Sequence, residues 1–97
     1  MKYFSFRVNG VVQGVNFRDW AKKIATSNQI SGYIRNASEG HVEGEAFGPA
    51  QSMDDFKTLL HRGPRHAEVT SVDISDEKAV ESAEEIGWKL NRFEIRR

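Results

Sequence analysis

Residues 2–9 alternate, with Phe4, Phe6 and Val8 on one side and Tyr3, Ser5 and Arg7 on the other, which is the period of a strand with one buried face. A glycine-punctuated loop follows, Gly10-Val11-Val12-Gln13-Gly14-Val15-Asn16. From Phe17 the period becomes helical. Phe17, Trp20, Ala21, Ile24 and Ala25 share one face, while Lys22, Lys23 and Ser27 occupy the other. Gly32 then opens a short strand through Tyr33, Ile34 and Arg35 to Asn36. Ala37-Ser38-Glu39-Gly40 predicts a hairpin turn with Gly40 free to take positive φ. The return strand runs from His41 to Phe47, with Val42, Gly44 and Ala46 on the face opposite Glu43 and Glu45.

Gly48-Pro49 breaks the alternation and places a proline to start a second helix, whose stripe of Met53, Phe56, Leu59 and Leu60 stops at Gly63-Pro64. Ala67 to Ile74 predicts a β-branched strand. The parity change between Val69 and the pair Val72 and Ile74 predicts a bulge within it. Asp76 to Glu85 holds five acidic residues and little apolar periodicity, and reads as a solvated connection. Trp88 to Ile95 reads as a closing edge strand with Phe93 and Ile95 on one face. The order β-α-β-β-α-β plus a terminal strand predicts an α+β sandwich of the ferredoxin-like kind. It would be an antiparallel sheet with two helices on one face and an extra C-terminal edge strand.

Ninety-seven residues with 38% apolar and 29% charged content suit one compact domain over 1–97, with a core that needs neither disulfide nor structural metal. The chain has no cysteine, which excludes thiol catalysis, disulfide staples and cysteine-bound zinc, and a cytoplasmic location is expected. Arg7 falls where a signal peptide would continue its apolar core, and no run approaches the ~20 apolar residues of a membrane span. A soluble monomer without a membrane partner follows. Fourteen basic and fourteen acidic side chains cancel, so no sequence-wide field favours nucleic acid. Any anion must be held locally.

The loop ahead of the first helix offers a place for one. Helix N-termini present unpaired N–H groups and the positive end of the macrodipole, so a cation in the first turn is locally unfavourable by roughly 0.3–1 kcal/mol. Arg18 sits there nonetheless, and a bound phosphate would account for it. By itself Arg18 beside Asp19 reads as a surface charge pair, and Asn36 before a hairpin as a turn residue. Together they suggest a site.

Val12-Gln13-Gly14-Val15-Asn16-Phe17-Arg18 and Gly32-Tyr33-Ile34-Arg35-Asn36-Ala37-Ser38-Glu39-Gly40-His41-Val42 resemble the two motifs of the acylphosphatase family, at the family's separation and in its element order. The resemblance implies hydrolysis of small-molecule acyl phosphates to a carboxylate and inorganic phosphate without metal or cofactor. It implies that Arg18 binds phosphate and is catalytic, and that Asn36 positions the attacking water. The amide-lined phosphate loop would be Gln13, Gly14, Val15, Asn16, Phe17 and Arg18, with Gln13 contributing its backbone N–H and no chemistry. The chain departs from the family where a Leu-Gly pair often precedes the second strand. It has Asn28-Gln29-Ile30 there, which concerns how the first helix ends.

The chemistry agrees with this residue set. An acyl phosphate expels a carboxylate, whose conjugate acid has a pKa of about 4, so no general acid is needed. What remains is to orient and neutralise a phosphoryl group, which suits a guanidinium fork and backbone amides. Asn36 cannot act as a base, but its amide oxygen can accept a hydrogen bond from water.

His41, His61 and His66 lack metal-ligand spacing and read as scattered surface histidines. Asp54-Asp55 would stabilise the first turn of the second helix through its dipole, and Glu84-Glu85 would be solvated. Two other functions fit the topology. One is a non-catalytic phosphate-binding or regulatory domain. The other is an RNA-binding module, disfavoured because the third strand carries Glu43 and Glu45 where an RNA reader needs basic and aromatic residues.

Overall fold

A computed structural model describes residues 1–96. Its elements are β1 (Lys2–Val11), α1 (Phe17–Ser27), β2 (Ser31–Asn36), β3 (Val42–Gly48), α2 (Ala50–Arg62), β4 (Glu68–Ala79), a short 3₁₀ turn (Ala83–Ile86) and β5 (Phe93–Arg96). The sheet order is β4-β1-β3-β2-β5. The first four strands pair antiparallel as the alternation predicts, and β5 joins β2 in parallel, so the sheet is mixed at that edge. Arg97 lies outside the described residues.

The alternation decides which face is buried. Phe4, Phe6 and Val8 of β1, Ile34 of β2 and Val42 and Ala46 of β3 are buried beneath Phe17, Ala21 and Ala25 of α1 and Met53, Phe56 and Leu60 of α2. Edge-to-face rings bind the layers, Phe6 on Phe56 at 5.9 Å and Phe56 on Phe93 at 5.9 Å. The other face of the sheet carries Tyr3, Arg7, Tyr33, Arg35, Glu43 and Glu45, and Tyr3 donates its hydroxyl hydrogen to Glu45.

The expected bulge is present. Asn9 pairs with Ser71 and Gly10 with Val69, which leaves Thr70 as the extra residue that changes parity. A second irregularity sets Phe4 against both Asp76 and Glu77, with Asp76 at φ 53°.

The segment after β4 corrects two expectations. Strand β4 extends to Ala79, so Asp76 and Glu77, the first acidic residues of the expected connection, lie within the strand at its irregularity opposite Phe4 rather than in coil. Charged residues are tolerated there because β4 is an edge strand with one side open to water. Trp88 lies outside any strand. It meets Tyr3 edge-to-face (5.6 Å between ring centroids), packs at a tilt against Phe47 (5.8 Å) and donates from Nε1 to Ser31 Oγ at 2.9 Å. It thereby anchors the crossing from one sheet edge to the other. Only Phe93 to Arg96 then find register on β2. Glu84 and Glu85 are exposed, as expected.

Asp54 and Asp55 lie beyond the first turn of α2, contrary to the dipole reading. Asp54 instead accepts from Lys2 Nζ at 2.8 Å, and Asp55 from Gln51 Nε2 at 3.1 Å. Lys2 and Lys57 also converge on Glu77, at 3.4 and 2.7 Å, so one charge network ties β1, α2 and β4.

The Asn28-Gln29-Ile30 departure has a clear structural outcome. Ile30 N donates to Ala25 O at 2.9 Å and Gln29 N to Thr26 O at 3.3 Å, the two bonds of a Schellman ending. Gln29 occupies the left-handed position at φ 60°, where glycine is the unstrained residue. Gln29→Gly is therefore expected to stabilise the fold by about 0.5–1 kcal/mol, the left-handed strain relieved less the added entropy of the unfolded chain. Thermal unfolding checks this, and an unchanged or lower midpoint would contradict it.

Candidate active site

Strand β1 delivers the chain to Val12, whose buried side chain fixes the base of the loop. Gly14 at φ 75° and Asn16 at φ 66° both take left-handed conformations, so the loop curls before α1 begins at Phe17. A Cβ at Gly14 would meet nothing within 4 Å, so glycine is required here by its backbone angle rather than by crowding from the protein. The first helical bond runs from Trp20 N to Asn16 O at 3.1 Å. Among the described residues, none of the backbone N–H groups from Gly14 to Asp19 donates to a backbone carbonyl. A curved row of free amides at a helix N-terminus forms an anion cradle.

Arg18 is the second residue of α1 and is half-buried at the cradle. It forms no ion pair with any described carboxylate, Asp19 included, which removes the surface-pair reading. Asn36 ends β2, opposite Val42 on β3. The two motifs meet in one cleft of about 260 Å³, lined by Gly14, Asn16, Arg18, Asp19, Asn36 and Ile95, with Val12 and Phe17 beneath. The Oδ1 of Asn36 is buried and has no hydrogen-bond partner among the described residues. A buried amide oxygen without a partner costs roughly 1–3 kcal/mol.

Two members of the expected loop do not line the cleft. Val15 is half-buried against the hydrophobic core. Gln13 turns its side chain toward the hairpin, where Nε2 donates to Ala37 O at 2.7 Å and His41 O at 2.9 Å. Asp19 and Ile95 also line the cleft, although neither is among the site residues that the two motifs predict. The shared parity of Phe93 and Ile95 was the available signal for Ile95.

The histidine expectation is corrected at one position. His41 is only 5% exposed, because it sits at the base of the hairpin turn. Its Nε2 lies 2.7 Å from Glu43 Oε1, and Arg35 Nε donates to Glu43 Oε2 at 2.9 Å. These bonds, that from His41 foremost, hold the Glu43 carboxyl below its ordinary value of 4.5. A depressed carboxyl stabilises the fold above its unfolded pKa, and that contribution is lost as pH falls through the folded value. Denaturant midpoints are thus expected to decline once pH drops below about 4.5, with a shallower acid decline in Glu43→Gln. An identical acid slope in the variant would contradict this.

Among the described residues no group of three or more His, Asp or Glu side chains converges in a way that could hold a metal ion. The polar groups lining the cleft are the loop amides, the Arg18 guanidinium, the side-chain amides of Asn16 and Asn36 and the Asp19 carboxylate.

A model of the acylphosphatase family matches residues 4–95. An acylphosphatase of Salinibacter ruber is 36% identical over 91 residues, covering 94% of each chain. The crystal structure of an acylphosphatase from Bacillus subtilis superposes with a TM-score of 0.86 at 28% identity over the whole of both chains. The structure of an acylphosphatase from Coxiella burnetii gives 0.83 at 33% identity, covering 98% of this chain and 92% of that one.

Proposed function

The chain belongs to the acylphosphatase family, and from that premise we propose that it is an enzyme that hydrolyses acyl phosphates in the cleft between the cradle and Asn36. The observation that carries the site assignment is that Asn36, whose Oδ1 is buried and unpartnered, lines the same cleft as Arg18 and the phosphate loop. The phosphoryl group of the substrate is held by the Arg18 fork and the loop N–H groups, which neutralise the charge that the transition state spreads over the equatorial oxygens. A water donates one hydrogen to Asn36 Oδ1, which aims a lone pair at phosphorus.

The new bond forms between water oxygen and phosphorus, and the bond between phosphorus and the acyl oxygen breaks. The carboxylate leaves with the electron pair, and the proton from water passes to a phosphate oxygen. No side chain has to protonate the leaving group, because a carboxylate is stable at neutral pH. Metal independence follows from this division of labour. Hydrolysis of benzoyl phosphate in the presence of EDTA tests the reading. Turnover unaffected by the chelator is expected, and loss of turnover with EDTA, restored by a divalent cation, would overturn it.

A further inference from the structure

The cradle and Asn36 stand on segments far apart in sequence, and hydrolysis in the cleft requires their spacing to be fixed. The turn that follows Asn36 has little to hold it. Ser38, Glu39 and Gly40 are exposed, and the turn's own closure consists of Ala37 N to His41 O at 2.9 Å and Gly40 N to Ala37 O at 3.1 Å. The Gln13 side chain adds a connection from the phosphate loop itself. Its Nε2 donates to the carbonyls of Ala37 and His41, the two ends of that turn.

We infer that Gln13 is a positioning residue, whose side-chain amide clamps the hairpin turn to the phosphate loop and so sets where Asn36 Oδ1 stands relative to bound phosphate. This rests on the cleft being the hydrolytic site. Glutamine suits the task because one nitrogen carries two hydrogens on a reach long enough to cross between the segments. A carboxylate donates neither, and asparagine is one methylene shorter. Water attack is sensitive to such placement, since a displacement of about 1 Å can cost up to roughly 10²-fold in rate.

A clamp on Asn36 differs measurably from simple support of the loop. Support would alter how phosphate is held, whereas a clamp acts through the water-orienting amide alone. Gln13→Met keeps the length and polarisability of the side chain without either donor, and Gln13→Ala serves as a second variant. Both are expected to lower kcat for benzoyl phosphate by about tenfold, the order of two neutral hydrogen bonds, while the inhibition constant of inorganic phosphate stays within about twofold. In an Asn36→Ala background the Gln13 substitutions are expected to change kcat by less than about twofold, because the group they position is gone. Amide hydrogen exchange at Ala37 and Gly40 is expected to quicken in Gln13→Met, with protection in the middle of β3 unchanged.

The inference is overturned by full kcat in both Gln13 variants, by equal losses with and without Asn36, by phosphate affinity falling in step with kcat, or by unaltered exchange in the turn. Those results leave the site reading intact as long as Asn36→Ala alone is impaired. Wild-type kcat in Asn36→Ala would overturn the site reading itself.

Discussion

Arg18→Ala is expected to lower kcat/KM for benzoyl phosphate by about 10²–10³-fold or more, and to weaken inhibition by inorganic phosphate by at least about tenfold. The guanidinium lines the cleft without an ion-pair partner among the described residues, so its charge is available to the phosphoryl oxygens. Its planar fork supplies two parallel donors, and Arg18→Lys is expected to recover little because an ammonium offers a single compact charge. Stability should move the other way. A cation in the first turn of α1 opposes the helix dipole, so removing it is expected to leave the unfolding free energy unchanged or raise it by about 0.3–1 kcal/mol. Steady-state kinetics with phosphate as inhibitor, alongside denaturant unfolding, checks both halves. Full activity in Arg18→Ala would remove the cradle from the reaction.

Asn36→Ala is expected to reduce kcat by about 10²-fold while phosphate still binds nearly as in the wild type, since the amides and Arg18 remain. The split between kcat and phosphate affinity distinguishes it from Arg18→Ala, which impairs both. Because Oδ1 is buried and unpaired, deleting it also relieves a desolvation cost, so the variant should be no less stable than the wild type. Lost activity with retained stability is the signature of a polar group kept at a cost for function. A variant that lost activity only in proportion to its unfolding would instead make Asn36 a turn residue.

Much of this arrangement is legible in the sequence because local periodicity decides it. Phe4, Phe6 and Val8 alternate and are buried, and Met53, Phe56 and Leu60 recur at helical spacing and are buried. The parity change at Val69 marks the bulge at Thr70. Arg18 and Asn36 stand out through the two motifs, and the fold brings those motifs into one cleft. Contacts between distant segments are what the sequence conceals. Trp88 resembles a strand residue, and only the positions of Tyr3 and Phe47 make it an anchor outside the sheet. Asp54 resembles a helix-dipole residue until Lys2 is placed beside it. His41 is buried by the geometry of the hairpin base, and the Gln13 side chain finds its acceptors only once that hairpin is docked on the loop. The acids of β4 resemble a coil because an edge strand can carry charges toward water.

The central claim is that water, aimed by Asn36, attacks phosphorus while Arg18 and the loop amides hold the phosphoryl group. Hydrolysis of benzoyl phosphate by the wild-type protein, in water enriched in heavy oxygen and with EDTA present, followed by mass analysis of both products, tests it most directly. The label is expected in inorganic phosphate with none in benzoate. Label appearing in benzoate would show attack at the acyl carbon and contradict the account.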